Sequence, residues 1–138
     1  RQVNACNGGI LVVPARRTAD GRRLFVALQS VPLSARRDSV GFYYKELAAY
    51  ADYSTPDALG RGWKKGLCVT DGSSCYSTMV SMKNRRIGLL YEVRGQDDGY
   101  DIEFRSLSLQ EITGGEYALL PSADRSRYVR DAAAAHRR

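Results

Sequence analysis

The chain has 138 residues, of which 43% are hydrophobic and 26% charged, and its formal net charge is +6. This length suits a single domain with a modest core, and no apolar run reaches the roughly 20 residues that a membrane span needs. Positive charge alone would permit nucleic-acid binding, but no stripe of basic and aromatic residues accompanies it. We therefore expect neither a membrane span nor a nucleic-acid partner.

Short strands dominate the predicted secondary structure. Apolar or alternating segments separated by Gly, Asn or Asp turns are typical of antiparallel hairpins. Residues 46–50 fit either one turn of helix or a continued strand, and residues 127–138 fit a C-terminal helix. The predicted strands cover residues 10–13 (closed by Pro14), 22–29, 40–44, 76–82, 87–91 and 100–107.

Six or seven strands in meanders suit a sandwich, a barrel or successive blades of a propeller. Blades of four strands need a long chain, so these 138 residues could supply only about two of them. We divide the sequence into a β-rich part, residues 1–120, and a basic tail, residues 121–138, that can form a helix.

The three cysteines are Cys6, Cys68 and Cys75, and their spacing matches no metal site. The single histidine, His136, lies in the tail. A disulfide between Cys68 and Cys75 could close the short loop between them. The alternative is three buried or free thiols, and the sequence leaves both open.

Two neighbouring segments carry side chains suited to an anionic sugar. Residues 75–79 read Cys-Tyr-Ser-Thr-Met and put Tyr76 on one predicted strand. Residues 87–92 read Ile-Gly-Leu-Leu-Tyr-Glu and put Glu92 at the end of the next. An arginine pair lies further upstream, and the planar fork of an arginine can meet both oxygens of a carboxylate without losing its proton.

These segments together resemble the last part of the catalytic domain of exo-α-sialidases (neuraminidases), which remove terminal sialic acid from glycans. In that family the catalytic tyrosine lies in a Tyr-Ser-x-Met strand that a Leu-Tyr-Glu strand end follows, as Tyr76 and Glu92 do here. Residues 6–10, Cys-Asn-Gly-Gly-Ile, are similar to the family's Cys-x-Gly-Ser-Ile segment. The resemblance spans residues 6–92 and implies an all-β fold, with antiparallel blades that form the C-terminal part of a six-bladed β-propeller.

The resemblance also implies a role for each candidate residue. Tyr76 is the expected nucleophile. Sialidases differ from most other glycosidases because their nucleophile is a tyrosine and not a carboxylate. Glu92 is expected to hold a substrate-binding arginine in position. The third arginine of the family's carboxylate site would be Arg37, favoured by its spacing from the strand that begins at Val40, or Arg36, favoured by an Arg-x-Asp variant of the motif.

Several groups that the family uses have no counterpart in this sequence: an acid/base aspartate, the glutamate that activates the tyrosine, and the first two arginines. We therefore expect a second chain that carries the N-terminal blades of the same enzyme. The expected substrate is a sialylated glycan, with neither a metal nor an organic cofactor. The resemblance implies an extracellular or cell-surface location, or the secretory or lysosomal route.

Three alternatives remain open at this point. The first is a sialidase-like propeller that binds glycans without cleaving them. The second is a trans-sialidase, which transfers sialic acid to another sugar. The third is a free-standing all-β interaction domain with a basic tail, and it alone predicts that the chain folds as a stable monomer.

Overall fold

The computed structural model describes residues 6–97 and 99–135, and antiparallel strands dominate them. The helices are α1 (Pro56–Gly60), α2 (Leu109–Thr113) and α3 (Ser122–Ala135), with a 3-10 turn at Tyr50–Asp52. The strands are β1 (Gly9–Arg17), β2 (Arg23–Pro32), β3 (Val40–Leu47), β4 (Lys64–Cys68), β5 (Ser74–Ser81), β6 (Ile87–Arg94), β7 (Tyr100–Leu107) and β8 (Tyr117–Leu119).

The strands form two antiparallel sheets. In the first sheet β1 to β4 make a four-stranded meander, and β8 pairs with the other edge of β1 to give the order β4-β3-β2-β1-β8. In the second sheet β5, β6 and β7 lie in chain order. Consecutive strands are neighbours because short connections favour pairing with the next strand along the chain.

The core lies between the inner faces of the two sheets. Alternate residues of β1, β2 and β3 supply one side, and Ile87, Leu89 and Tyr91 of β6 supply part of the other. The short helix α2 adds Leu109 and Ile112, which are fully buried. Each such side chain stabilises the fold by roughly 1.5–3 kcal/mol on burial, so the two sheets depend on each other for stability.

Most of the predicted strands are present, with differences at their ends. Strand β6 extends the predicted 87–91 segment to Arg94, and β7 coincides with residues 100–107. The predicted end of the first strand at Pro14 is wrong, because β1 continues to Arg17. Proline has no backbone N–H to donate. Pro14 is nevertheless tolerated within β1 because its backbone faces β8, which pairs with only part of this edge, and no donor is required there.

The helical predictions are corrected in their bounds. Strand β3 continues to Leu47, so a continued strand is the correct alternative for the start of residues 46–50. Helix α3 begins at Ser122, earlier than the predicted 127–138, while residues 136–138 lie outside the described residues, as do 1–5 and 98. None of the helices described is both long enough and apolar enough to cross a bilayer.

A polar cluster joins the ends of β1, β3 and β8. Arg17 donates to Glu46 through Nε at 3.0 Å and through Nη2 at 2.5 Å, and the Tyr117 hydroxyl donates to Glu46 at 2.6 Å. The bonds from Arg17 contribute most to holding the pKa of Glu46 below its ordinary value. Burial, together with the bond to Glu46, raises the pKa of Tyr117.

Glu46→Gln is expected to destabilise the fold at neutral pH by about 1–2 kcal/mol, since Arg17 would lose its charged partner. A depressed folded-state pKa means that the stabilisation is complete above the unfolded-state pKa of Glu, about 4.3, and is lost as the pH falls through the folded-state value. Chemical denaturation across the acid range should therefore show a steeper loss below about pH 4.5 in the wild type than in the variant.

Asp57→Asn is the matched control for this experiment. Asp57 forms an ion pair with Arg61 at 3.0 Å, but both side chains are largely exposed. Exposed pairs contribute little to stability, so this variant should follow the wild type at every pH. Equal behaviour of the Glu46 and Asp57 variants would contradict the role given to the polar cluster.

Candidate functional site

A β-bulge at the start of β5 sets the direction of its side chains. Between its pairs with Val93 and Tyr91, β5 contains one residue more than β6. As a result Ser74 and Cys75 are both buried although they are consecutive, while Tyr76 is 43% exposed. Bulges commonly redirect side chains in this way and are frequent next to active sites.

Glu92 of β6 lies beside the bulge. The backbone N–H of Tyr76 donates to Glu92 Oε2 at 3.4 Å. Both residues line a shallow cavity of ≈ 200 Å³ on the outer face of the second sheet, the face turned away from the core. The predicted tyrosine and glutamate therefore border one cavity, whose other lining residues are Ser77, Thr78, Leu90, Tyr91 and Ile102.

The loop between β2 and β3 is hydrogen-bonded to the start of β5. The N–H of Ser74 donates to the carbonyl of Arg37 at 3.0 Å, and the Ser74 hydroxyl accepts from the N–H of Val40 at 3.1 Å. The N–H of Ser39 donates to the chain just before β5. These bonds attach the Arg37 loop to β5 at Ser74, which precedes Tyr76 by two residues.

The segment before β1 contacts β5 at the bulge. Cys6 Sγ lies 3.5 Å from Cys75 Sγ. At Gly8 a Cβ atom would lie 2.1 Å from the carbonyl oxygen of Ser30, so the close approach of this segment to β2 requires glycine. The 6–10 motif thus lies against the strand that carries Tyr76.

The pKa of the Cys6 thiol reflects the charges around it. Burial contributes most to raising this pKa to about 11, and the hydrogen bond with Cys75 adds to it. The positive charge of Arg37 lowers the pKa, whereas the negative charge of Glu92 raises it further. Both charges therefore act electrostatically on the Cys6 thiol.

Arg36 and Arg37 have different surroundings. The N–H of Arg36 donates to Ser34 Oγ at 2.8 Å within the loop itself. The charge of Arg36 also helps to hold the pKa of Asp38 low, after the hydrogen bonds from two serines. Arg37 acts electrostatically on Cys6 instead. Of the two candidate arginines, Arg37 is therefore the one that acts on the Cys6 thiol, and neither arginine lines the cavity beside Tyr76.

Sequence reasoning missed the serines that hold these segments together. The Ser77 hydroxyl donates to the Ser30 hydroxyl at 2.9 Å, and the Ser30 hydroxyl accepts from the N–H of Gly9 at 3.1 Å. Ser30 and Ser74 are completely buried. A serine in phase with the apolar residues Leu24, Val26 and Leu28 of β2 was the available signal, because a buried hydroxyl requires a hydrogen-bond partner.

Of the two alternatives left open for the cysteines, the structure has the free thiols and not the Cys68–Cys75 disulfide. All three cysteines are free thiols, and Cys68 is exposed, with its thiol donating to the carbonyl of Thr70 at 3.3 Å. Cys75 is buried against Cys6 because the bulge turns it inward. Within residues 6–97 and 99–135 no group of three or more His, Cys, Asp or Glu side chains could hold a metal ion.

A larger cavity of ≈ 480 Å³ lies at the other end of β1. Its two most buried charged groups serve the fold: Glu46 belongs to the polar cluster, and Lys45 Nζ donates to the carbonyls of Ala58 and Arg61 at the end of α1. Buried charges paired in this way stabilise structure and are not available for a ligand. We therefore assign the candidate site to the smaller cavity beside Tyr76.

No family model and no curated protein matches the sequence. The geometry around Tyr76, Arg37 and Glu92 is what bears on function.

Proposed function

We propose that this chain is the C-terminal part of a retaining exo-α-sialidase, which hydrolyses terminal sialic acid from glycoconjugates. The observation that carries the proposal is the meeting of segments that are distant in sequence. The segment at Cys6, the loop at Arg37, β5 at Tyr76 and β6 at Glu92 come together at one bulge. These are the segments that carry the sialidase resemblance.

In the proposed reaction the phenolic oxygen of Tyr76 attacks the anomeric carbon of the sugar. Sialic acid has a carboxylate on that carbon, which at about 4 Å would repel a carboxylate nucleophile by on the order of 4 kcal/mol at an effective dielectric of 20. A neutral phenol avoids this repulsion. An isolated phenol has a pKa of about 10, so a base on the second chain would take its proton during the attack. As this bond forms, the glycosidic bond breaks, and the aglycone leaves with a proton that the acid/base aspartate of the second chain would supply. Water, which the same aspartate would deprotonate, then hydrolyses the glycosyl-tyrosine intermediate and returns the phenol of Tyr76.

Arg37 would bind the substrate carboxylate together with two arginines of the second chain. Its guanidinium can donate two parallel hydrogen bonds to the two carboxylate oxygens. Glu92 would hold one of those further arginines in position. The half-buried carboxylate of Glu92 at the border of the cavity suits this role, because a partly desolvated negative charge favours a cationic partner.

We propose a six-bladed propeller as the complete architecture. The meander of β1 to β4 has the strand number and order of one blade. Strands β5 to β7 would be three strands of the next blade. Strand β8 pairs with β1 in the first sheet, so the strand that completes the second blade would come from the second chain.

The exposed apolar faces of both sheets support a second chain. An antiparallel sheet that faces water is normally polar on that side, and a contiguous apolar face commonly marks a contact surface. On the first sheet, Ile10 and Val12 of β1 are exposed. The N-terminal blades of the same enzyme would cover these two side chains and, on the outer face of the second sheet, the exposed side chains of Val80 and Phe104, which do not line the cavity beside Tyr76.

A fluorogenic sialoside assay tests the proposal. We expect no turnover by the chain alone and clear turnover when the N-terminal blades are supplied, either in the full-length gene product or as a co-expressed second chain. A fluorogenic galactoside, which lacks the carboxylate, is the control and should remain intact.

Each alternative predicts a different outcome of the same experiment. Binding of sialic acid without turnover would support the glycan-binding propeller, and transfer to a galactose-terminated acceptor would support the trans-sialidase. The free-standing domain predicts a stable monomer of the isolated chain in size-exclusion chromatography and thermal melting. That result, without sialoside binding by the complete protein, would contradict the proposed function.

A further inference from the structure

Cys6 and Cys75 form a pair of thiols that the proposed reaction does not use. Their Sγ atoms lie 3.5 Å apart, although 69 positions separate the two residues in sequence. The contact joins the segment before β1 to the bulge of β5. The third thiol, Cys68, is exposed and donates to the carbonyl of Thr70.

Backbone contacts hold both cysteines in place. The carbonyl of Asn7 accepts the N–H of Ser77 at 3.3 Å, which attaches the segment after Cys6 to β5 two residues beyond Cys75. At Gly9 a Cβ atom would lie 3.3 Å from the backbone of β5. The two sulfur atoms therefore meet because the main chains that carry them are packed together.

We propose that Cys6 and Cys75 are a disulfide-forming site that links the segment before β1 to β5 beside Tyr76. The sulfur atoms need to move only from 3.5 Å to about 2.05 Å for the bond to form. This inference goes beyond the proposed function, because it holds whatever reaction the neighbouring cavity performs.

The bond requires an oxidant, and a low-molecular-weight disulfide such as oxidised glutathione suits the site. Cys6, the less buried thiol, loses its proton and attacks one sulfur of the small disulfide, whose other half leaves as a thiolate and takes up a proton. Cys75 then loses its proton and attacks Cys6 Sγ, which expels the second small thiol. Two protein thiols are thus oxidised by two electrons, and one small disulfide is reduced to two thiols.

The surroundings of the pair determine how fast the bond forms. Only the thiolate attacks a disulfide, and the raised pKa of Cys6 keeps its thiolate scarce at neutral pH. Formation in the folded protein is therefore slow near neutrality and faster at alkaline pH.

Peptide mapping by mass spectrometry tests the site. The complete protein is equilibrated with oxidised and reduced glutathione at alkaline pH, the remaining thiols are alkylated in denaturant, and the protein is digested without reductant. We expect one linked peptide pair that contains Cys6 and Cys75, with Cys68 alkylated. The matched control Cys68→Ser should give the same link, whereas Cys6→Ser should abolish it and leave Cys75 alkylated.

A second measurement reports on stability. The disulfide would close the loop between Cys6 and Cys75, which are 69 positions apart. It should raise the Tm of the oxidised protein above that of the reduced protein by roughly 10 °C, and Cys6→Ser should lack this shift. Three alkylated cysteines after equilibration, a link between Cys68 and Cys75, or a link between two chains would overturn the proposal. Because mapping measures mass and not turnover, such a failure is distinguishable from failure of the sialidase proposal.

Discussion

Replacing Tyr76 with phenylalanine is expected to reduce the turnover of a fluorogenic sialoside by the complete enzyme by roughly 10³-fold or more. The substitution removes only the phenolic oxygen, which is the atom that would bond to the anomeric carbon. The ring lies on the outer face of the second sheet and is 43% exposed, so the Tm should change little. The assay is the steady-state rate of fluorophore release.

Tyr100→Phe is the matched control for this variant. Tyr100 lies at the start of β7, has a similar exposure of 44%, and does not line the cavity beside Tyr76. We expect this variant to keep the wild-type rate. Unchanged hydrolysis in Tyr76→Phe, or an equal loss in both variants, would refute the assignment of Tyr76 as the nucleophile.

Arg37→Ala is expected to lower kcat/KM for the sialoside by at least about 100-fold, since two charge-assisted hydrogen bonds to the substrate carboxylate would be lost. Arg37→Lys should restore only part of the activity, because an ammonium keeps the charge but cannot reproduce the planar fork. Steady-state kinetics with both variants separates the contribution of charge from that of geometry.

Arg36→Ala separates the two neighbouring arginines. The charge of Arg36 helps to hold the pKa of Asp38 low within the same loop, so its loss should change kcat/KM only a few-fold. Thermal melting of both alanine variants checks that the loop remains folded. A larger loss with Arg36→Ala than with Arg37→Ala would transfer the carboxylate-binding role to Arg36.

A continuous apolar run was sufficient to predict β6, and alternation was sufficient to predict β7, but neither signal marks the edge strand β4. In β6, Ile87, Leu89 and Tyr91 face the core, a division of faces that the continuous apolar run does not reveal. Strand β4 reads Lys-Lys-Gly-Leu-Cys, and it pairs with β3 at the edge of the first sheet. Edge strands often carry lysines, which discourage further pairing, so no alternation signals them.

The short helices could be predicted only from their caps. Helices α1 and α2 have five residues each, too few for a helical period to be recognised. Ser108 and Glu111 form a capping box at the start of α2, and the Ser-x-x-Glu spacing is present in the sequence. Thr55 caps α1 in a similar way by accepting from the N–H of Ala58.

The proximity of Tyr76 and Glu92 could be anticipated from the two-strand pattern, but the details around them could not. The choice between Arg36 and Arg37 depends on the path of a loop in which Ser39 has a φ of 58°, a conformation that spacing does not predict. The cysteine pairing depends on one extra residue in β5, which turns Cys75 toward the core. Nearness in sequence therefore could not decide whether Cys75 pairs with Cys68.

That extra residue also limits how this region can diverge during evolution. Point substitutions between positions 74 and 77 exchange one side chain and leave the pairing intact. Deletion of a single codon would remove the bulge and make the strand regular. Inward and outward side chains would then alternate, so one buried residue would precede Tyr76 where Ser74 and Cys75 now do. Homologous chains should accordingly conserve the number of residues between the two strand pairs.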